Sequence, residues 1–477
     1  MNMDKTRQAF NNERQSHWDK VAEKLEHWQG WGGYYRRRVA QVFKFNIPAN
    51  QDILEIGCGN GDLLAYLEPK YGLGMDISPK MVRLAGKQHP NLDFIQMDAL
   101  ELSLKRQFDV VVISDTVNDL WDVQSTLENV HQHLKPHGHL VLNFYNRLWE
   151  IPINLAAKLG VSKPTLLQNW LTVEDVSNLL NLAGFEPVRE WVEVLMPFNI
   201  PLITPLFNKF LIRLWPFKFF AMTHFMVARP KPDCEKVEDY SVSVIVPARN
   251  EAGNIKRVFE ELPKISPQTE LVFVEGHSTD DTYDEILRQI EAHPDIPARA
   301  FRQPGKGKGD AVRLGFTEAE GDVLMILDAD LTMPPADLPR FYNALASGKG
   351  DFINGVRLVY PMEKHAMRPL NLIGNKAFTL IFTYLLGQPI KDTLCGTKVL
   401  WKEHYEEIRA NRAYFGDFDP FGDFELIFGA AKLNLKIVDM PIRYRERTYG
   451  TTNIQRWKHG WLLLRMVVYA AGRLKFI

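Results

Sequence analysis

Ile53-Leu54-Glu55-Ile56-Gly57-Cys58-Gly59-Asn60-Gly61 decides the fold of the first half of this chain. An apolar run of strand length breaks into three alternating glycines, and Asp62 to Leu67 then reads as a helix. Strand, glycine turn and helix in that order mark the ligand-binding edge of an α/β sheet. Glycines there permit a tight turn and let a ligand approach the backbone. A triphosphate-binding loop would close on Lys-Ser or Lys-Thr; this one does not, which excludes that chemistry.

Working outward, strands are expected at Leu73–Asp76, Phe94–Met97, Val110–Ile113 and Leu140–Phe144, with helices between them. Thr172 followed by Asp175 predicts a capped helix to Leu182. The hydrophilic stretch Arg229-Pro230-Lys231-Pro232-Asp233 closes this unit, and residues 231–240 read as a linker between domains 1–230 and 241–477. The alternation restarts with strands at Val242–Val246, Leu271–Val274 and Val323–Leu327. The fold class is therefore α/β twice over.

Bulk properties agree. A chain of 477 residues with 45% hydrophobic content supports two or three cored domains. The formal net charge of −1 removes the broad attraction that general nucleic-acid binders use, so no nucleic-acid partner is expected. Cys58, Cys234 and Cys395 are scattered without metal-ligand spacing, which points to a reducing compartment. Met1 to Lys20 is polar, without the apolar core of a secretory signal. Leu195–Phe220, Leu370–Leu386 and Trp461–Gly472 are apolar but proline-broken, charged or short; such segments suit a membrane interface or a buried core rather than a span. The oligomeric state stays open.

Asp328 and Asp330 follow the apolar run Val323 to Leu327, and alternate residues of an extended segment face one side. Two hard oxygen ligands favour Mg²⁺ or Mn²⁺, and such an ion neutralises a diphosphate leaving group. Asp76 ends the second strand, where a carboxylate accepts from ribose hydroxyls. Ser114, Asp115, Asn118 and Asp119 follow the fourth strand, and His17, Tyr34 and Tyr35 come from an aromatic segment able to cover the rim.

The glycine loop with Asp76, Asp98-Ala99 and the turn Leu134 to Leu140 resembles the class I S-adenosylmethionine (SAM)-dependent methyltransferases, a Rossmann-like fold. The resemblance implies that Gly57, Gly59 and Gly61 wrap the methionine part of SAM and that Glu55 supports the loop. It places Asp76 on the ribose, with Asp98 and Ala99 beside the adenine. The second half resembles glycosyltransferase family 2 of GT-A fold, in particular the polyprenyl- or dolichyl-phosphate sugar transferases. There Pro247, Ala248, Asn250 and Glu251 match the nucleoside cradle, Ser278 to Thr282 with Asp280 the next turn, and Asp328 with Asp330 the metal motif. Thr332, Lys306 to Ala311, Thr393 to Gly396 and Arg447 to Thr452 match further motifs. Glu275-Gly276-His277 stands where the family carries two aspartates, which leaves GDP- against UDP-sugar open.

The function implied is bifunctional: inverting transfer of a sugar from a nucleotide-sugar to a lipid phosphate at the cytoplasmic face of a membrane, and SAM-dependent methylation of a related sugar or lipid. Arg357, Arg368, Arg445 and Arg447 are candidate phosphate ligands; for Arg445 a surface ion pair is the plainer reading. Asp423 or Glu425 would be the base were the acceptor a hydroxyl. Asn453 to Trp457 nearly matches a Gln-x-x-Arg-Trp motif, and Arg456 and Trp457 are read as the start of an interfacial helix. Two other readings stay open: sugar transfer to a glycan or soluble hydroxyl, with methylation of that glycan, and a first domain that only senses SAM.

Overall fold

A computed structural model describes residues 3–25, 33–158, 166, 168–232, 239–360, 369–414, 422–447, 449 and 456–475. The chain divides into two compact units, Met1–Lys231 and Pro232–Ile477.

The first unit is a seven-stranded sheet in the order β3-β2-β1-β4-β5-β7-β6. Its strands are β1 (Asp52–Ile56), β2 (Tyr71–Asp76), β3 (Asp93–Gln96), β4 (Phe108–Ser114), β5 (Leu134–Tyr145), β6 (Phe185–Glu193) and β7 (Thr223–Pro230). β1 to β5 pair in parallel, whereas β7 runs antiparallel to both its neighbours. Every residue of β1 is buried, as expected of a strand covered on both faces. Leu54, Ile56, Val111 and Leu142 pack into one core, while Ile53, Val110, Val112 and Phe225 pack into the other. Thr172 and Asp175 form the expected capping box on helix Val173–Leu182.

The second unit has its own seven-stranded sheet, β10-β9-β8-β11-β13-β12-β14. The strands are β8 (Val242–Ala248), β9 (Thr269–Glu275), β10 (Ala298–Arg302), β11 (Val323–Ile326), β12 (Phe352–Val356), β13 (Lys398–Trp401) and β14 (Ile437–Pro441). β13 alone is reversed, antiparallel to β11 and β12. In both sheets the strand order turns back beside the first strand, between β1 and β4 and between β8 and β11. That switch point is where open α/β sheets hold ligands, beyond the carboxyl ends of the strands.

Several expectations need correction. Arg229 and Pro230, expected to close the first unit, are the end of β7, a strand the sequence reading did not mark, with Arg229 buried and paired to Glu186 at 3.1 Å. The turn expected at Leu134–Leu140 lies inside β5, whose pairing to β4 slips near Phe108. β3 ends at Gln96, two residues before Asp98. Helices Pro369–Leu386 and Arg456–Ala470 each bury one stripe in the core, including Phe382 and Leu386 and, from the second helix, Met466 and Ala470. Leu380, Trp461 and Val468 stay exposed. Among the described residues no helix is long and apolar enough to cross a membrane.

Candidate functional sites

In the first unit, Gly57, Gly59 and Gly61 all take positive φ, at 73°, 53° and 80°. A side chain at Gly57 would meet Thr116 and one at Gly61 would meet Phe94, but one at Gly59 would meet nothing within 4 Å. The loop is thus braced at its ends and open in the middle. Gly57 and Cys58 donate to the Met75 carbonyl, which fastens the loop to β2. Glu55 is buried beneath it and accepts from the Leu64 backbone; with no cation near, burial pushes its carboxyl well above the usual range.

Asp76 accepts from the backbone N–H of Gly59 at 3.0 Å and of Ser78 at 2.8 Å. Burial raises its carboxyl to about 6, against those two bonds. Asp98 caps the single turn Ala99–Glu101 and receives Arg7 at 2.6 Å and Asn11 at 2.7 Å from helix Met3–Leu25. Trp18 of that helix donates to Asp119 at 3.2 Å. The first helix, which carries the expected His17, thus reaches the site through Arg7, Asn11 and Trp18, three residues the sequence reading did not name.

A second cluster follows β4. Asp115 sits at φ 53°, strained for a residue with a side chain. Its carboxylate accepts from Tyr35 at 2.8 Å and from Asn143 at 2.5 Å. Tyr35 in turn stacks on Tyr145 with ring centroids 5.9 Å apart. Burial raises Asp115 to about 6 despite those donors. Here is a carboxylate on the rim, held by aromatic hydroxyls and able to take up a proton near neutrality.

In the second unit, Asp328 and Asp330 do not lie on an extended segment. Leu331, at φ 52°, closes a turn in which its N–H donates to the Asp328 carbonyl, so strand alternation does not aim the pair. Each carboxylate faces a cation. Lys308 reaches Asp328 at 2.5 Å, and Arg447 reaches Asp330 at 2.6 Å. Thr332 also donates to Asp330, at 2.8 Å. Burial opposes the charge of Lys308, but Asp328 and Asp423 outweigh it and hold the ammonium above its ordinary range. Gly396 lies against Asp328 and Lys308 so closely that any side chain would collide with both.

Arg447 bridges onward to Glu251 at 3.0 Å, and Glu251 also accepts from Asn254 at 2.7 Å. Burial raises Glu251 to about 7, against Arg447. Pro247 and Ala248 end β8, and Gly276 donates to the Ala248 carbonyl. Asn250 takes φ 57° and links its loop to the next by accepting from Thr279 at 2.8 Å. Glu275 accepts from the Ser278 N–H, and Asp280 from Thr282. These residues form one floor at the carboxyl ends of β8 and β9.

The other candidates are placed differently. Arg357 forms a two-point ion pair with the fully buried Asp392, at 2.7 and 2.8 Å. Arg445 pairs with Glu261 at 3.6 Å, the surface reading. Asp423 is buried beside the ammonium of Lys398 at 3.1 Å. Glu425 is held between Arg313 and Arg412. Arg368 and Asn453 lie outside the described residues. Lys308 lies in the segment Lys306 to Ala311 singled out in the sequence, but its pairing with Asp328 was not foreseen, although a cation at the first position of helix Lys308–Glu318 runs against the helix dipole and so calls for a carboxylate partner.

Comparison with known proteins adds a family to each unit. A family model for glycosyl transferase family 2 matches residues 243–409, and one for a methyltransferase domain matches residues 53–138. The low-salt glycan biosynthesis hexosyltransferase Agl6 of Haloferax volcanii is 28% identical over 236 residues, covering 49% of this chain but only 55% of that protein. A dolichyl-phosphate hexose transferase of the same organism is 28% identical over 228 residues, 48% of this chain and 92% of its own length. Among solved structures, a SAM-dependent methyltransferase from Thermotoga maritima aligns with 19% identity and a TM-score of 0.37 over 45% of this chain and 98% of its own. The chain joins a methyltransferase domain, in its first unit, to a glycosyl transferase family 2 domain in its second.

Proposed function

We propose that the protein is a bifunctional transferase: it moves a hexose from a nucleotide-sugar to a polyprenyl- or dolichyl-type lipid phosphate, and it methylates a related sugar or lipid with SAM. The carboxylate turn Asp328–Asp330 at the switch point of the second sheet carries this reading, with the match to nearly the full length of a dolichyl-phosphate hexose transferase in support.

The donor set suits a hard divalent ion: Asp328, Asp330 and the Thr332 hydroxyl are all oxygen ligands, and the carboxylates are balanced here by Lys308 and Arg447. Mg²⁺ or Mn²⁺ held there supplies charge neutralisation for the diphosphate. An oxygen of the acceptor phosphate attacks the anomeric carbon, its bond to the diphosphate breaks, and the configuration inverts. Because the nucleophile is already anionic, no base is needed. Lys308 and Arg447 then stand where developing negative charge collects, and Arg368 is a further candidate to hold the acceptor. Arg357 serves by bracing Asp392 rather than by meeting phosphate.

In the first unit Gly57, Gly59 and Gly61 hold the methionine part of SAM, Asp76 the ribose, and Asp98 with Ala99 the adenine. SAM bound there would supply an electrophilic methyl group, and Asp115, held by Tyr35 and Asn143, would take the acceptor's proton. Both reactions belong at the inner face of a membrane, where Leu380 and Trp461 present apolar surface to lipid.

Product masses test the whole reading. The full chain is incubated with polyprenyl phosphate, SAM, Mg²⁺ and a panel of nucleotide-sugars. A hexose increment on the lipid, followed by a methyl increment, is the expected result. No increment from any donor overturns it.

A further inference from the structure

The connection from β6 to β7 is long, apolar and turned outward. Between Val194 and Met222 it contains no acidic residue. Phe198, Leu202, Phe210, Trp215, Phe219 and Phe220 are all exposed, Leu202 at 87% and Trp215 at 76%. Ile151, at 78%, extends the surface from helix Glu150–Lys158. Soluble surfaces rarely gather so many large apolar groups unless something covers them.

This surface is built rather than frayed. Asn208 is buried, accepts from the N–H groups of Leu195 and Met196, and donates to the Met196 carbonyl and the Tyr34 hydroxyl. Thr204, fully buried, accepts from Ile200 and donates to the Phe198 carbonyl. Asn146 donates to the carbonyls of Phe219 and Ala221, and Trp149 to that of Phe220. Arg213 pairs with the buried Glu193, which also takes Arg38. Buried polar side chains thus hold short turns in place while their apolar side chains face out.

Charge identifies the occupant. Between Phe198 and Phe220 the exposed ions are Lys209 and Lys218, and Arg147 with the half-buried Glu150 lies at the margin beside Ile151. Aromatic and aliphatic groups rimmed by lysine and arginine match the headgroup boundary of an anionic bilayer. We propose that residues 198–220 form a docking platform by which the methyltransferase unit sits on an anionic lipid membrane. The platform leaves the sheet at the carboxyl rim: Thr223, the first residue of β7, pairs with Tyr145 and accepts from Asn143, which also donates to Asp115. A docked unit therefore opens its Asp115 cluster toward lipid-borne acceptors. That last step rests on the methyltransferase reading; the docking does not, because it is measured without SAM or acceptor.

The test is co-sedimentation of the full chain with phosphatidylcholine vesicles, with and without phosphatidylglycerol. Wild type is expected on the anionic vesicles. The variant Leu202→Glu/Trp215→Glu/Phe219→Glu is expected to lose at least about tenfold in partitioning, with an unchanged thermal melt and circular dichroism spectrum as the control for folding. Lys209→Glu/Lys218→Glu is expected to weaken binding to anionic vesicles at low salt and to have little effect at high salt. The proposal falls if wild type stays in solution, or if the triple variant binds as wild type does. In a Leu380→Glu/Trp461→Glu background, which removes the other unit's apolar contact, the triple variant must lower binding further; the proposal falls equally if it does not. Conversion of a wild-type dimer to monomer by the triple variant, without vesicle binding, assigns the surface to a second copy and also overturns it.

Discussion

Two glycines of one loop carry different burdens. At Gly57 an added Cβ would stand 2.2 Å from the Thr116 hydroxyl, at φ 73°. Gly57→Ala is predicted to destabilise the first unit by about 2 kcal/mol or more through strain and collision. Gly59 has φ 53° but open space around it, so Gly59→Ala costs only the backbone strain of about 1–2 kcal/mol. Its methyl group projects where a cofactor would lie. Thermal melts with and without SAM separate the two: Gly57→Ala lowers the ligand-free Tm further, and Gly59→Ala loses more of the rise on adding SAM. Asp76 supplies a pH prediction. Burial lifts its pKa to about 6, so it is a full acceptor for ribose hydroxyls above that value and a protonated, weaker one below. SAM affinity should fall as pH drops through about 6, and Asp76→Asn should bind weakly with a flat profile; calorimetric titration across that range decides it. Linkage has the opposite sign for stability. Ionising a buried carboxylate whose folded pKa is raised removes stability as pH climbs from the ordinary carboxylate range through about 6.

Elements were legible where local pattern and burial coincide. β1, β8 and β11 are short apolar runs, buried throughout or nearly so, and their boundaries fall within two residues of expectation. The capping box at Thr172 was equally plain, and Thr172→Ala should cost about 1 kcal/mol in a urea titration by removing its reciprocal bonds with Asp175. The strands that escaped notice have other physics. β6 and β10 are edge strands with half-exposed, charged sequences, so neither period nor apolar run marks them. β12 and β13 are interior but carry polar groups satisfied only at long range. Asn354 donates to the Asp392 carbonyl and to Asp439, and the fully buried Lys398 pairs with Asp423. No local signal announces such partners. The same holds at the sites, where Asp328 and the segment Lys306 to Ala311 were each visible in sequence but the pairing of Lys308 with Asp328 was not. Backbone strain gathers there too: Asp115, Asn250, His277 and Leu331 adopt positive φ just beyond β4, β8, β9 and β11. Strain of this kind persists where surrounding structure over-determines it, which is characteristic of ligand-binding edges.

At the scale of the whole molecule, two sheets have the same strand count and the same switch point, and the function proposed puts them to opposite chemistries. The first offers a glycine loop with a hydroxyl-accepting carboxylate, suited to a cationic sulfonium without metal. The second offers a carboxylate turn balanced by Lys308 and Arg447, suited to an anionic diphosphate with metal. The partners named above for each site lie in that site's own unit, so the two activities should be separable. Asp328→Asn removes a proposed metal ligand and the carboxylate paired to Lys308, which is predicted to reduce sugar transfer by about a hundredfold or more. Chelation of divalent ions should give the same loss in wild type and be reversed by added Mg²⁺ or Mn²⁺. Neither treatment touches Gly59 or Asp76, so SAM should bind with unchanged affinity in both. Loss of SAM binding together with sugar transfer would mean that the sites depend on each other, and sugar transfer that persists in the chelator would remove the metal from the mechanism.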